Sequence, residues 1–342
     1  MNIRELAVPG FEQLKSCTDD NGYHGLIAIH STQLGIAIGG TRFWVYPNEQ
    51  AAINDVLRLS RGMTYKNALA GIPFGGGKSI ILKNDLAMDR ETIFRSHGKF
   101  VETFSGDYVT AEDVGTTPAD MEFVRAETKH VAGLLNLSGD PSPITARGVF
   151  RAMQAAAKCR WGSDELVGRT IAQQGCGSVG YHLASHIHAA GAKLVVSDVD
   201  PKKIERVVND FNAAVVSPSA IFETDAEIFA PCALGGILND QTIPLLARKT
   251  EIVAGAANNQ LLELKDGDEL ASRNILYVPD YAANAGGVIN GCRELLGWNV
   301  ERSMEKVDQI YDTILRIVEI AVAERVPTYR IADRLAEERL EA

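Results

Sequence analysis

Long uncharged apolar runs are missing from this 342-residue sequence, and no stretch approaches the ~18–20 apolar residues that a membrane-spanning helix needs. The chain reaches an acidic side chain at Glu5 before any apolar run begins, so we do not expect a secretory signal peptide. The five cysteines are odd in number and far apart, unlike a disulfide framework or a zinc site. These absences favour a protein of the reducing cytoplasm.

Positive charge is also scarce in the sequence. Lys and Arg total 34 against 44 Asp and Glu, which gives a formal net charge of −10. Nucleic acids and anionic membranes attract clusters of Lys and Arg, so we expect neither as a partner. The hydrophobic content of 46% is that of a folded chain. At roughly 100–200 residues per domain, the length favours two domains.

The first half of the chain alternates between strand-like and helical patterns. An apolar run at 26–30 predicts a strand, and Asn48 stands where the N-cap of a long amphipathic helix is expected. Residues 75–78 predict a glycine-rich turn that leads into a short strand at 79–82. This part of the chain therefore predicts a mixed α/β domain.

The second half has a more regular alternation. Residues 138–145 have the composition of a turn and lead into a helix at 148–158, so we place a hinge there. From Val300 onward the pattern predicts two helices that break near Pro327. Strands are predicted at 170–174, 193–197, 226–230, 251–254 and 275–278, with a helix at 179–189. Such alternation is typical of a doubly wound parallel sheet.

A glycine-rich motif lies between the first of these strands and the helix that follows. It is a GxGxxG pattern made of Gly175, Cys176, Gly177, Ser178, Val179 and Gly180. Between a strand and a helix, this pattern predicts a dinucleotide site of the Rossmann type. The glycines allow a tight turn, close approach of the pyrophosphate and close helix–strand packing, and the free N–H groups of the helix hold the phosphates.

The choice of dinucleotide depends on Asp198, which ends the second strand of this unit. A carboxylate there accepts hydrogen bonds from the ribose hydroxyls and repels a 2′-phosphate, so NAD is favoured over NADP. Lys202 and Lys203 follow closely and argue weakly the other way. The alternative is a strand–helix turn that binds no ligand.

Three polar residues stand out in the apolar, glycine-rich first half: Lys66, Lys78 and Asp113. Lys66 shares a helix face with Met63, three residues before it. The three glycines before Lys78 usually mark a place where a ligand comes close to the backbone. Dehydrogenation of a small acid needs a fixed cation, a lysine acid–base and a carboxylate that exchanges protons. The alternative is that the lysines are solvated surface charges and Asp113 caps a helix beginning near Pro118.

We expect no metal site. His182 and His186 lie four residues apart on a predicted helix, which is a spacing found in some zinc sites. The residues between them supply no glutamate of the kind that an H-E-x-x-H motif uses. These histidines are expected at the surface of the helix or at an interface.

Together these segments resemble the amino acid dehydrogenases that act on glutamate, leucine, phenylalanine and valine. The resemblance covers nearly the whole chain and is closest to the leucine dehydrogenases. The matching blocks, in the order of the family, are residues 39–42, 61–66, 75–78, 110–116, 141–145, 175–180, 254–260 and 284–290. Eight blocks in order are far more specific than any single motif.

The resemblance implies roles for the polar residues of the first half. Lys66 would bind the substrate carboxylate, Lys78 would activate the attacking water, and Asp113 would exchange protons with the amino group. Gly39 and Gly40 would form a wall of the substrate cleft. The implied reaction is oxidative deamination, in which the substrate passes a hydride to NAD and water then releases a 2-oxo acid and ammonia.

The resemblance also implies roles in the second half. Asn259 and Asn284 would lie near the nicotinamide and the substrate, and Thr145 near the nicotinamide amide. The implied α/β fold has two domains separated by a cleft that closes to exclude water. Residues 1–140 and the C-terminal helix 325–342 would form the substrate domain, and 141–324 the Rossmann domain. The family further implies a homo-oligomer, either a dimer or an octamer.

The substrate side chain is expected to be apolar. Glutamate members place a lysine at the position of Ile38 and a serine at that of Gly291. Leucine members have a valine at the position of Gly291, so the substrate pocket of this chain is expected to be wider than theirs. The pocket candidates are all apolar or small: Ile38, Met63, Ala111, Val288 and Gly291. We expect leucine, isoleucine and valine as substrates, with an aromatic amino acid dehydrogenase or a catalytically silent nucleotide-binding or assembly protein as alternatives.

Overall fold

The computed structural model describes residues 1–83, 89–133 and 139–341, which form two compact units. The first unit contains the described residues of 1–139, 291–298 and 336–342, and the second contains 140–290 and 299–335. The boundary expected between residues 140 and 141 lies one residue from this division. Ser138, which begins the expected hinge, lies outside the described residues.

The first unit is built on a six-stranded mixed sheet. Its elements are β1 (Asn2–Glu5), β2 (Gln13–Thr18), β3 (His24–Ser31), β4 (Ala37–Trp44), α1 (Glu49–Ala70), β5 (Gly75–Leu82), α2 (Arg90–Glu102), β6 (Tyr108–Glu112) and α3 (Pro118–Arg125). The strand order is β1-β2-β3-β5-β4-β6. Strand β4 is parallel to both β5 and β6, whereas β1, β2, β3 and β5 are paired antiparallel.

Helix α1 begins where its sequence predicts. The Asn48 side chain accepts a hydrogen bond from the Ala51 N–H, which satisfies one of the free donors of the first turn. The helix ends at Gly71, whose φ of 63° is the left-handed conformation that glycine adopts without steric cost. Ala52 and Val56 are buried in a core cluster with residues of β2, β3 and β5.

The prediction of a glycine-rich turn before a strand at 79–82 is wrong. Residues 75–77 already belong to β5, which pairs with β3 on one side and β4 on the other. Glycine is unfavourable in an isolated strand, but here the neighbours leave no room for a side chain. A Cβ on Gly76 would lie 2.1 Å from the Thr64 nitrogen of α1.

The second unit has a six-stranded, all-parallel sheet. Its strands are β7 (Thr170–Gln174), β8 (Lys193–Ser197), β9 (Ala214–Val215), β10 (Ile228–Pro231), β11 (Ile252–Val253) and β12 (Leu276–Tyr277). The order β9-β8-β7-β10-β11-β12 is that of the doubly wound dinucleotide-binding fold. The sequence-based prediction of a doubly wound parallel sheet is confirmed.

Helices accompany this sheet and continue to the end of the described chain. They are α4 (Ser142–Trp161), α5 (Ser178–Ala189), α6 (Pro201–Phe211), α7 (Leu264–Ser272), α8 (Asp280–Ala283), α9 (Gly286–Leu295), α10 (Val300–Asp308), α11 (Ile310–Glu324) and α12 (Thr328–Glu341), with a 3-10 turn at Ile243–Leu245. In the described residues, none of the helices has both the length and the apolar composition needed to cross a membrane.

The C-terminal region differs from the expectation in two ways. Three helices follow Val300 rather than two, since the chain also breaks at Gln309, where no glycine or proline marks the break. Residues up to Leu335 group with the second unit, although 325–342 were expected in the first domain. The physical reason is that Tyr329 of α12 packs in the core of the second unit.

Candidate active site

Lys78 and Asp113 form an ion pair on one face of the first unit's sheet. Lys78 Nζ lies 3.0 Å from Asp113 Oδ2, and only 6% of the Lys78 side chain is exposed. Lys78 lies in β5 and Asp113 directly follows β6, on either side of β4. The alternative that Lys78 is a solvated surface charge is therefore wrong.

Asp113 also accepts a hydrogen bond from Arg42 of β4. Arg42 Nε lies 3.2 Å from Asp113 Oδ2, and Arg42 Nη1 lies 2.9 Å from Asp55 Oδ2. Burial by itself would raise the pKa of Asp113, but the charges of Lys78 and Arg42 outweigh it and hold that pKa at about 2. Asp113 is therefore an ionised proton acceptor at neutral pH. It does not cap α3, because the Thr117 side chain does so.

Helix α1 positions the second lysine. Lys66 and Met63 lie on one face of α1, as expected, and both are half-buried. Thr64 of the same turn packs directly against Gly76 of β5, two residues before Lys78. The first unit thus brings Lys66 and Lys78 onto adjacent elements, a helix and the strand beneath it.

The paired glycines of β4 allow close packing within the first unit. A Cβ on Gly40 would lie 2.4 Å from the Glu112 carbonyl oxygen and 2.8 Å from Asp113 Cβ. Glycine at this position therefore lets the end of β6, and with it Asp113, approach β4. A Cβ on Gly39 would meet the Gly77 carbonyl oxygen at 1.8 Å. These glycines, like those of β5, are explained by close approach of the protein itself.

A buried polar network connects the same strands on the opposite face of the sheet. Its members are Thr41, Ser79, His97, Tyr108 and Thr110. The Thr41 hydroxyl lies 2.9 Å from His97 Nε2, and Tyr108 donates to the Gly39 carbonyl over 2.5 Å. Burial lowers the pKa of His97 to about 3, so its ring is neutral. The network ties β4, β5 and β6 to α2 and so fixes the strands that carry Lys78 and Asp113.

The residues proposed to contact the substrate side chain are apolar where the structure describes them. Ile38 is buried in β4, and Ala111 of β6 is paired with Gly40 of β4. Gly291 of α9 belongs to the first unit, and a Cβ added there would have no heavy atom within 4 Å. Val288, one turn earlier in α9, belongs to the second unit.

The glycine motif of the second unit has the geometry expected of a dinucleotide loop. Gly175 has a φ of 105°, a backbone conformation that L side chains rarely adopt. A Cβ on Gly180 would lie 2.3 Å from the Gly175 carbonyl oxygen, whereas one on Gly177 would meet nothing within 4 Å. Gly177 is the N-cap of α5 and gives no side-chain hydrogen bond to the first N–H groups of the helix. This arrangement fits a pyrophosphate group.

Asp198 lies next to this loop. Its Oδ2 accepts a hydrogen bond from the Cys176 N–H over 2.7 Å, and its Oδ1 accepts one from the Asp200 N–H over 2.9 Å. Burial, and then the charge of Asp198, raise the pKa of the Cys176 thiol to about 12. Cys176 therefore remains a protonated thiol at neutral pH, and the Asp198 carboxylate is fixed at the edge of the loop.

Thr145, expected near the nicotinamide, lies beside the segment that follows Asn284 in the second unit. The Thr145 hydroxyl would be 3.5 Å from a Cβ on Gly287, three residues after Asn284. Asn284 Nδ2 donates to Asn258 Oδ1 over 2.8 Å. Asn284 Oδ1 is buried and has no partner among the described residues, which suits an amide N–H donor from a ligand. Asn259 is held in a left-handed conformation with a φ of 53°.

Two residues of these sites, one in each unit, were given no role by the sequence. Gln173 Nε2 donates to the carbonyls of Gly175 and Gly180, over 2.9 Å each, and so holds the loop closed. Arg42 lies in one of the matching blocks, but only the structure shows its contact with Asp113. In the ranges 1–83, 89–133 and 139–341, no group of three or more His, Cys, Asp and Glu residues could hold a metal ion.

Two models of known protein families match this chain. The family model for the Glu/Leu/Phe/Val dehydrogenase dimerisation domain matches residues 13–130. The model for Glutamate/Leucine/Phenylalanine/Valine dehydrogenase matches residues 199–339. The two matches together include most of the chain.

Individual relatives are similar over almost their full length. A leucine dehydrogenase from Geobacillus stearothermophilus is 51% identical over 335 residues, or 97% of this chain and 91% of the relative. An L-tryptophan dehydrogenase from Nostoc punctiforme is 48% identical over 340 residues, or 99% and 95%. The crystal structure of L-tryptophan dehydrogenase from the same organism superposes with a TM-score of 0.86 at 47% identity and covers 97% and 96% of the two chains. The chain therefore belongs to the Glu/Leu/Phe/Val dehydrogenase family and is an amino acid dehydrogenase.

Proposed function

We propose that this protein catalyses the reversible NAD-dependent oxidative deamination of small apolar L-amino acids, namely leucine, isoleucine and valine. The products are the 2-oxo acid and ammonia. The observation that supports this most strongly is the buried Lys78–Asp113 ion pair. A lysine with so little exposed surface and a carboxylate partner is the acid–base arrangement that deamination requires. Two relatives that are named leucine dehydrogenases, 51% and 50% identical to this chain, support an apolar amino acid as the substrate.

Each polar residue of the first unit has one task in this proposal. Lys66 binds the substrate carboxylate with its positive charge. Once Lys78 has passed its own proton to Asp113, its neutral amine takes a proton from the water that attacks the oxidised substrate carbon. Asp113 exchanges a proton with the substrate amino group, so that ammonia can leave. Since Lys78 Nζ and Asp113 Oδ2 are 3.0 Å apart, a proton can pass between them without an intervening water.

The loop of the second unit would hold NAD. Bound NAD supplies the hydride acceptor of the reaction. The uncapped N-terminus of α5 would bind its pyrophosphate, and Asp198 would accept hydrogen bonds from the adenosine ribose. The unpaired Asn284 Oδ1 would accept a hydrogen bond from the carboxamide of the nicotinamide, near Thr145. Because a carboxylate at Asp198 repels a 2′-phosphate, NAD is proposed rather than NADP.

The proposed specificity depends on the absence of charge in the pocket candidates. Ile38 and Gly291 offer no group that could bind a second carboxylate, so glutamate is not a proposed substrate. Aromatic amino acids are the second candidate. The open space beside Gly291 and the similarity to an L-tryptophan dehydrogenase favour some activity on phenylalanine and tryptophan.

Assembly and location form part of the proposal. The N-terminal match is to a family model described as a dimerisation domain, which supports a homo-oligomer, either a dimer or an octamer. The scattered cysteines support a reducing cytoplasm. The proposed partners are small molecules only: the amino acid, the 2-oxo acid and ammonia.

An initial-rate assay of NADH formation tests the proposed function. The purified protein is given NAD with leucine, isoleucine, valine, phenylalanine, tryptophan or glutamate in turn. We expect the highest kcat/KM with one of the branched-chain substrates and the lowest with glutamate. No activity with any of the six, despite measurable NAD binding, would instead support the silent nucleotide-binding alternative.

A further inference from the structure

We propose that Arg42 is a positioning residue for Asp113, which holds one oxygen of the carboxylate so that proton exchange with the substrate takes place at the other. This inference rests on the proposed function of Asp113. It assigns a task in the reaction to a residue that lies in one of the matching blocks but to which the resemblance gave no role.

The first observation is that two cations meet the same carboxylate oxygen. Lys78 Nζ approaches Asp113 Oδ2 to 3.0 Å, and Arg42 Nε approaches it to 3.2 Å. Two charged donors on one oxygen stabilise negative charge there and lower its basicity. Proton exchange with the substrate is therefore directed to Oδ1.

The second observation is that Arg42 is itself anchored. Its Nη1 donates to Asp55 Oδ2 over 2.9 Å, and the Tyr46 hydroxyl donates to the same oxygen over 2.6 Å. The side chains of Arg42 and Asp55 are 17% and 16% exposed, so the pair is largely shielded from water. The planar guanidinium thus bridges a carboxylate of α1 and Asp113, which fixes the orientation of both.

The third observation concerns charge during the reaction. A lysine can lose its proton and with it its charge, whereas an arginine stays protonated in proteins. When Lys78 exchanges its proton, Arg42 keeps a positive charge beside Asp113. Asp113 also influences Tyr108 of β6, whose pKa is raised by burial and then by the charge of Asp113. Without Arg42, the carboxylate would hold its proton more tightly and turnover would slow.

The test compares Arg42→Gln with a matched control, Arg95→Gln. Arg95 of α2 also bridges two carboxylates, Glu91 over 2.9 Å and Glu127 over 3.0 Å. We expect Arg42→Gln to lower kcat for leucine by about tenfold or more while KM changes little, because a charge at this distance shifts a carboxyl pKa by about 1–3 units. The acid limb of the pH profile of kcat should move to higher pH. Arg95→Gln should leave kcat and the profile unchanged.

A double-mutant cycle with Asp113→Asn separates positioning from a general structural effect. If Arg42 acts through Asp113, Arg42→Gln should cause no further loss of kcat in the Asp113→Asn background. Independent, additive losses, or an unchanged kcat in Arg42→Gln, would overturn the inference. Normal turnover in Asp113→Asn alone would overturn the proposed function instead.

Two more variants keep the test informative. Arg42→Lys retains the charge but lacks the planar fork of donors, so it should recover part of the lost kcat. If Arg42→Gln does not fold, Asp55→Asn removes the anchor of Arg42 and should lower kcat with KM kept. A wild-type kcat and pH profile in Asp55→Asn would then overturn the inference.

Discussion

Lys78 Nζ and Asp113 Oδ2 lie 3.0 Å apart across the β4 strand of one sheet, and the lysine side chain is almost completely buried. An ammonium group out of contact with water is costly unless a carboxylate compensates it. The Asp113 carboxylate thus offsets the cost of burying the Lys78 ammonium, and the pair places two proton-transfer groups in direct contact.

Replacing Gly40 by alanine should displace Asp113. The new Cβ would lie 2.8 Å from Asp113 Cβ and 2.4 Å from the Glu112 carbonyl oxygen, so the end of β6 must move. We expect kcat for leucine to fall by roughly 100-fold, since small displacements of reacting groups have effects of that order. The affinity for NAD, measured by fluorescence titration, should change little. Gly62→Ala in α1 is the control, because its Cβ would meet nothing within 4 Å; equal kcat in the two variants would contradict the prediction.

Substituting valine for Gly291 should narrow the range of substrates. The position has open space around it, so the larger side chain should fit without unfolding the protein. Each methylene group in such a pocket is worth ~1–3 kcal/mol of discrimination. We expect kcat/KM for phenylalanine and tryptophan to fall by about tenfold or more relative to that for valine. If the ratio is unchanged while the melting temperature is also unchanged, Gly291 does not line the substrate pocket.

Asp198→Ala should relax the preference for NAD over NADP. Removal of the carboxylate removes its repulsion of a 2′-phosphate and its hydrogen bonds to the ribose. We expect the ratio of kcat/KM for NADP to that for NAD to rise by about tenfold or more, with most of the change in KM. Asp210→Ala serves as the control, because Asp210 lies on the exposed side of α6 and accepts a hydrogen bond from Tyr181. A ratio that stays at the wild-type value would show that Asp198 does not select the cofactor.

Because His97 is buried in its neutral form, we expect the folded protein to lose stability in acid. In the unfolded chain a histidine binds a proton as the pH falls below about 6.5, whereas folded His97 has a pKa of about 3. The unfolded state therefore binds more protons between these values. The stabilising contribution is complete above about pH 6.5 and decreases by up to about 1.4 kcal/mol for each pH unit as the pH falls toward 3.

Urea unfolding between pH 7 and pH 4 measures this effect. His97→Gln keeps a polar side chain in the network but cannot bind the proton, so its free energy of unfolding should fall less steeply with pH than that of the wild type. His188→Gln, at an exposed position of α5, should keep the wild-type slope. Identical slopes for His97→Gln and the wild type would exclude His97 as the source of the acid sensitivity.

Local patterns in the sequence were sufficient for the first strands of the second unit and for the loop between β7 and α5. Strands β7 and β8 lie where the apolar runs predict them, because each is buried and bounded by turn residues. The GxGxxG motif has the conformation its glycines imply, since a positive φ at Gly175 is a local requirement. Residues whose role depends on their own backbone conformation can thus be identified from the sequence.

Features that depend on contacts between distant segments could not be predicted. The glycines of β5 resemble a turn in sequence, and only the approach of α1 and Tyr108 explains why they lie in a strand. His97 and Thr41 are 56 residues apart, and Arg42 and Asp113 are 71 apart. No local pattern links such pairs, although the resemblance to a family identified Lys78 and Asp113 as candidate catalytic residues.

The most direct test of the proposed reaction is the kcat for NADH formation from leucine in Lys78→Met, compared with the wild type. Methionine preserves the apolar stem and removes the ammonium group, and Arg42 still compensates the charge of Asp113. Because general acid–base groups contribute about 10²–10⁴-fold to rate, we predict a loss of kcat in that range with NAD binding retained. A kcat within a few-fold of the wild type would contradict the assignment of Lys78 and, with it, the proposed mechanism.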